Sequence, residues 1–392
     1  MPRVDLAERR TRLAIRHRLA PSERAPDPVE AARAVVALHA SDPPSVYLAA
    51  RARTEQGSVA GVEHALYGER TLVRLTGMRN TLFVAPADLE PVIAGACLRA
   101  IAPRERRRLE RLVQSAGIAP DAAAWLERVE REALAALSRR GEAAGAELSK
   151  EVPALREPIR FGEGTRWETT TSVTGRVLSL LAAEGRVVRG RPRGSWVSGQ
   201  YRWMLNEGWL GADVAERRAE DAEAELARRW LGSFGPGTAE DLRWWTGWTV
   251  KTTRRALAAT ASVEVELDGG EVGHLLPDDT EPASPPEPWA ALLPALDPTV
   301  MGWLERRWYL GEHAPTLFDR NGNAGPTVWW DGRVVGGWAQ RPDAEVVFRL
   351  LEDVGSEGAA VIEAEAARLT AWFQGTRVTP RFRTPLEREL AA

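Results

Sequence analysis

The segment best equipped for chemistry is Leu38-His39-Ala40-Ser41-Asp42-Pro43-Pro44, which links two predicted helices. His39 and Ser41 are two apart in a connector, so both can face the same way and share a water between them. The preceding helix is predicted over residues 28–38, which places His39 at its carboxyl end. There the macrodipole favours an imidazolium, and the ring is also suited to capping the last carbonyls. Asp42 followed by Pro43 has the form of an N-cap with proline at the first helical position.

The second chemically notable stretch is residues 172–203. Val173, Val177, Leu180 and Leu181 form one apolar stripe of a helix, and Gly185 follows as its stop. Two short strand-like runs then flank a Gly/Pro/Arg turn. From Arg186 to Arg202 there are five arginines (186, 189, 191, 193, 202) and no acid. A helix followed by a cationic hairpin is the outline of a winged helix, with the helix suited to a groove and the hairpin to phosphates. Arg186, Arg189, Arg191 and Arg193 are therefore assigned to phosphate contact. Trp196, in the same hairpin, belongs either to its core or to a wedge against a duplex.

Composition sets limits on these readings. The chain has 392 residues and a formal net charge of -3, which is unlike a sequence-indifferent packaging protein. Only Lys150 and Lys251 of its 52 basic residues are lysine, so clustering of arginine carries information and abundance does not. A single cysteine, Cys97, excludes a disulfide framework and a multi-thiolate zinc site, and fits a reducing cytosol. His17, His39, His64, His274 and His313 are scattered without metal-ligand spacing, so no metal is expected. No run approaches the roughly 18 apolar residues of a membrane span, and the amino terminus lacks an apolar signal core. The expected setting is the cytoplasm, at the nucleoid.

The outline of three helices and a hairpin recurs three times. The first copy has helices over 6–17, 28–38, 45–53 and 58–67, then strands over 70–75 and 80–85 across Gly77-Met78, with Arg79 just after the turn. Helical sequence follows to residue 149. Its run Ala102-Pro-Arg-Glu-Arg-Arg-Arg-Leu-Glu-Arg-Leu reads first as a solvated helix face with Glu/Arg pairs and second as a face that also touches phosphate. A long amphipathic helix over 212–231 carries Ala215, Ala219, Ala222, Leu226 and Trp230 on one face and Glu216, Glu220 and Glu223 on the other. The third copy opens with a capping box, Thr238 with Asp241, and Gly247 ends its first helix. A helix over 251–260 follows, bearing Lys251, Arg254 and Arg255, then an acidic hairpin across Gly269-Gly270. A Pro/Asp/Glu-rich linker over 277–288 leads to a different module with strands over 326–330, 332–338 and 344–350 and a helix over 358–373. The expected fold is α+β: three tandem winged-helix motifs and a C-terminal β-barrel-like domain. The segments are 1–150, 151–232, 233–280 and 289–392.

These features resemble the bacterial winged-helix DNA glycosylases of the AlkZ and YcaQ type over most of the chain. Besides residues 38–53, the resemblance rests on Gly194-Ser-Trp-Val-Ser-Gly-Gln-Tyr-Arg-Trp, Phe234-Gly-Pro-Gly-Thr-Ala-Glu-Asp-Leu-Arg-Trp-Trp-Thr-Gly and Leu293-Pro-Ala-Leu-Asp-Pro. Asp319-Arg-Asn-Gly-Asn and Asp331-Gly-Arg-Val-Val-Gly-Gly-Trp add to it. It implies winged helices arranged in a C-shape around double-stranded DNA. It also implies hydrolysis of the N-glycosidic bond of N7-alkylated purines with no metal or cofactor; a monomer is expected because no apolar helix face is left over for a partner. The family's Gln-x-Gln or Gln-x-Asp motif falls on His39 and Ser41, so the chain departs from it at both positions. By this resemblance His39 becomes the water-positioning base, with Ser41 or Asp42 as partner. The DNA contacts become Arg79, the four hairpin arginines, Trp196, Lys251, Arg254 and Arg255. No lysine near the connector could form a Schiff base, so lyase chemistry is not expected. The competing reading is a non-catalytic DNA-binding or lesion-sensing protein, which release of free base from alkylated DNA would distinguish.

Overall fold

The computed structural model describes residues 1–161, 169–210 and 217–392. Strand β1 (Arg3–Val4) and helix α1 (Leu6–Arg16) open the chain. Helix α2 (Pro28–Ala34) starts where Asp27 accepts the backbone N–H groups of Val29 and Glu30, with Pro28 at its first position. Next come β2 (Leu38–His39), α3 (Pro43–Arg53) and α4 (Val59–Glu63), which runs on as a wide turn to Gly68. Strands β3 (Leu72–Thr76) and β4 (Leu82–Pro86) close the unit, with β4 in the middle of a three-stranded sheet ordered β2-β4-β3.

Helix α5 (Arg99–Ser115) leads to a second unit with the same element order. Its parts are α6 (Ala122–Arg140), β5 (Glu142–Ala144), α7 (Gly145–Glu151), an inserted hairpin of β6 (Pro158–Phe161) and β7 (Thr169–Ser172), α8 (Thr174–Ala183), β8 (Val187–Pro192) and β9 (Tyr201–Leu205). The sheet runs β5-β9-β8. A third unit contains α9 (Ala219–Phe234), α10 (Ala239–Thr246), α11 (Val250–Ala259), β10 (Val263–Leu267) and β11 (Val272–Leu275). The capping box forms as predicted: Asp241 N–H donates to Thr238 Oγ1 and Thr238 N–H to Asp241 Oδ2, each at 3.0 Å. Gly247 ends α10 in the left-handed region, at φ 77°. Gly237 bridges to β11, and β1 extends the sheet by parallel pairing with β10. The helix expected from Ala212 begins at Ala219; Ala212, Ala215 and Glu216 lie outside the described residues.

The C-terminal module corrects the barrel expectation. Strands β12 (Ala290–Leu293), β13 (Thr327–Trp330), β14 (Arg333–Gln340) and β15 (Val346–Leu350) form an open antiparallel sheet in chain order. Its outer strands do not pair with each other, so no barrel closes. Helices α12 (Gly355–Phe373) and α13 (Pro385–Leu390) pack on it.

One apolar core runs through the first unit, the third unit and this module, with Tyr47, Trp230, Trp289 and Trp329 among its largest side chains. The second unit has its own core around Leu126, Leu148 and Leu181. Helix α3 is pinned at its far end by ion pairs. Arg53 and Asp297, both 0% exposed, meet at 2.6 Å, and Arg51 pairs with Glu365. The helix carrying the connector is thereby fixed to the C-terminal module. Among the described residues no helix is long and apolar enough to cross a membrane.

Candidate active site and nucleic-acid interface

The connector is shaped by a break that the sequence reading placed too late. Helix α2 ends at Ala34, and Val36 adopts φ 64°. The chain then leaves as an extended strand, with Leu38 opposite Val84 and His39 opposite Phe83. His39 therefore sits on a sheet edge, and no helix terminus acts on it. Its ring lies 5.0 Å from that of Phe83 and is 6% exposed. Burial, followed by the charge of Arg79, pulls its pKa down to about 3. The imidazole is neutral at physiological pH, contrary to the imidazolium favoured by a helix end. Its Nδ1 accepts a long bond, 3.4 Å, from Ser41 N–H, which favours the proton on Nε2.

Asp42 does stand at the N-cap of α3, with Pro43 following, yet its carboxylate caps no backbone N–H of that helix. It accepts Ser45 Oγ at 2.7 Å and the backbone N–H of Arg381 at 3.0 Å. Burial raises its pKa, and these two donors work against that rise. Asp42 thus ties the connector to the segment after α12.

Ser41 opens onto a cleft of about 660 Å³. The first unit contributes Ala40, Pro43, Thr76, Asn80, Thr81 and Leu82 to its walls, and α5 contributes Glu105, Arg108 and Leu109. The second unit adds Arg176, Ser179, Arg189 and Tyr201, and Arg381 comes from the C-terminal module. Against these four arginines the lining has one acid, Glu105. The basic hairpin is next to the connector: a Cβ on Gly199 would lie 3.5 Å from the Pro43 ring.

The remaining predicted residues divide into several groups. Arg189 enters the cleft. Arg193 is exposed and makes no side-chain hydrogen bond or ion pair among the described residues. Arg186 is exposed beside Glu130 at 3.6 Å, and Arg191 pairs with Glu63 at 2.7 Å while stacking over Tyr67. Lys251 and Arg254 are exposed on α11. Three assignments need correction. Trp196 is buried between Tyr47 and Trp372, at 5.2 and 5.6 Å, and so is core with no wedge face. Arg79 lies 4.1 Å over Trp244, its Nε buried without a partner, and burial lowers its pKa to about 10. Arg255 is held by Glu220 and Glu223, and Glu223 is itself buried instead of facing out from its helix.

Sequence reasoning missed Arg176, Tyr201 and Arg381 in the cleft and did not single out Arg108. Arg108 stands in the run read as a solvated helix face. Arg381 belongs to the proline-punctuated stretch Thr379-Pro-Arg-Phe-Arg-Thr-Pro385, and such punctuation marks an ordered non-helical crossing.

Comparison with known proteins identifies the family and the fold. The family model for DNA glycosylase AlkZ-like proteins matches residues 32–372. The solved structure of Streptomyces sahachiroi DNA glycosylase AlkZ superposes with a TM-score of 0.74 at 20% sequence identity, covering 96% of this chain and 98% of that one. No curated protein sequence matches. With the matched region taking in the connector, the basic hairpin and all of the cleft lining except Arg381, the chain belongs to the AlkZ-like DNA glycosylase family.

Proposed function

We propose that this protein hydrolyses the N-glycosidic bond of alkylated purines, N7-alkylguanine foremost, in double-stranded DNA. In this reading the three units of like element order are winged helices set in a C-shape around the duplex, and the protein acts as a monomer. The observation that carries it is the shared cleft: Ser41, at the second motif position, and the basic hairpin residues Arg189 and Tyr201 line one cavity. Arg186, Arg193, Lys251 and Arg254 then serve as outlying phosphate contacts.

The chemistry suits an unusual connector. An N7-alkylated guanine is already cationic and leaves readily, so strong general acid catalysis is unnecessary. What remains is to hold a water beneath C1′ and to tolerate an oxocarbenium-like sugar. A cation at position 39 would oppose that charge, whereas the buried imidazole stays neutral. Ser41 is the connector's hydroxyl residue at the cleft, and His39 accepts a hydrogen bond from its backbone N–H. Asp42 is committed to Ser45 and Arg381, which leaves Ser41 as the partner that meets the water.

The test is release of free N7-methylguanine from methylated duplex DNA. Wild type should release base, and Ser41→Ala and His39→Ala should lose release while keeping DNA binding. The low exposure of His39 gives weight to one other reading, a lesion-binding protein without catalysis. Binding of alkylated duplex with no base released from it would establish that reading and overturn the first.

A further inference from the structure

Arg74, on β3, is a buried cation without an acid. It is 3% exposed, its Nη1 donates to Tyr67 Oη at 2.9 Å, and its Nε has no partner. Its guanidinium lies 4.4 Å over the ring of Tyr201, whose own hydroxyl is buried and unpartnered. No ion pair to Arg74 exists among the described residues. Arg189, on β8, stands in the cleft wall close by. It stacks 4.4 Å over Trp203, and its one hydrogen bond is a 3.4 Å contact to Ser179 Oγ. Burial, then the charge of Arg74, pull Arg189 down to about 10. Strands β3 and β8 belong to different sheets that pack side by side, so docking of the first unit on the second creates this pair of like charges.

Burying the Arg74 guanidinium without a counter-ion is costly, the half-buried Arg189 feels its charge, and a fold that keeps both gains when an anion arrives at the open face of Arg189. Phosphate fits best: the planar fork of arginine matches its oxygens, and Arg108 and Arg381 line the same cleft, which suits a run of phosphates. We propose that this inner wall is a built site for one DNA phosphodiester, with Arg189 as the ligand. Arg74, behind the Tyr201 ring, is a positioning charge that never touches the DNA. The inference rests on the DNA glycosylase reading and adds to it. The strand is anchored on the Arg189 wall, and a cationic lesion base, repelled from that wall, is directed toward Ser41.

The experiment uses the full chain and an undamaged duplex oligonucleotide, with affinity measured across a salt series. Arg189→Ala should reduce the slope of log Kd against log salt by about 0.9. In a scan that replaces one phosphate at a time by methylphosphonate, wild type should weaken at one position where Arg189→Ala does not. Arg74→Met should weaken binding about 3- to 10-fold at low salt with the slope of wild type, and Arg74→Lys should restore most of it. Should Arg74→Met fail to fold, the Arg189→Ala scan and Arg74→Lys still decide. An unchanged slope, or identical scans for wild type and Arg189→Ala, overturns the site while leaving base release intact. Absence of any duplex binding by wild type overturns both this site and the glycosylase reading.

Discussion

Lowering the pH separates a neutral His39 from an ordinary one. A histidine near 6.5 is about three-quarters protonated at pH 6 and about 97% protonated at pH 5. With His39 held near 3, the corresponding fractions are about 0.1% and about 1%. Base release from N7-methylguanine DNA should therefore show no acidic limb from His39 between pH 8 and 5. The measurement is single-turnover release at constant ionic strength, corrected for spontaneous depurination. A limb with an apparent pKa of 6 to 7 that vanishes in His39→Gln would refute the reasoning. Stability should respond even though the rate does not. Below 6.5 the unfolded chain takes up a proton at His39 that the folded chain refuses, so stability is full above 6.5 and falls as pH drops toward 3. The slope is at most about 1.4 kcal/mol per pH unit for this group. His17, fully buried against Thr299 and Phe234 with its pKa also lowered by burial, acts in the same direction. A Tm that declines on acidification while the release rate holds is the combined signature.

Two further outcomes follow from packing. Asp297→Ala leaves the Arg53 guanidinium buried and unpaired, so it should cost about 3–5 kcal/mol in urea unfolding. Trp196→Ala should destabilise by a similar amount, about 3–5 kcal/mol, because it removes the indole between Tyr47 and Trp372. The salt slope of DNA binding should be unchanged in Trp196→Ala; a residue wedged into a duplex would lose affinity without losing stability.

Signals confined to a few neighbouring residues were legible. Thr238 with Asp241, Gly247, and the apolar stripe ending before Gly185 each specify a local geometry that tertiary contacts left unchanged. The end of α2 was less clear, because Val35-Val36-Ala37-Leu38 continues the helical apolar pattern. The strand at Leu38–His39 exists only because β4 offers an edge to pair with. Strand β12, Ala-Ala-Leu-Leu, is buried along its whole length and shows no alternation, so it was missed. Without it the module's strands suggested a barrel. In the site, the position of the motif was readable but its environment was not. Whether His39 is charged depends on Phe83 and Arg79, forty or more residues away in sequence. Trp196 looked available because Trp372, which covers it, lies in another module.

The bond from the Arg381 backbone to Asp42 spans 339 positions of sequence. On a ribosome, where chains grow vectorially at about 5–20 residues per second, the nascent connector waits roughly 20–70 s for this closing donor. During that interval Asp42 has Ser45 alone, and the cleft gains its cations in turn as Arg108, Arg176, Arg189 and finally Arg381 are added. The connector is thus translated long before its groove is finished, and the complete arginine lining exists only once residue 381 has emerged.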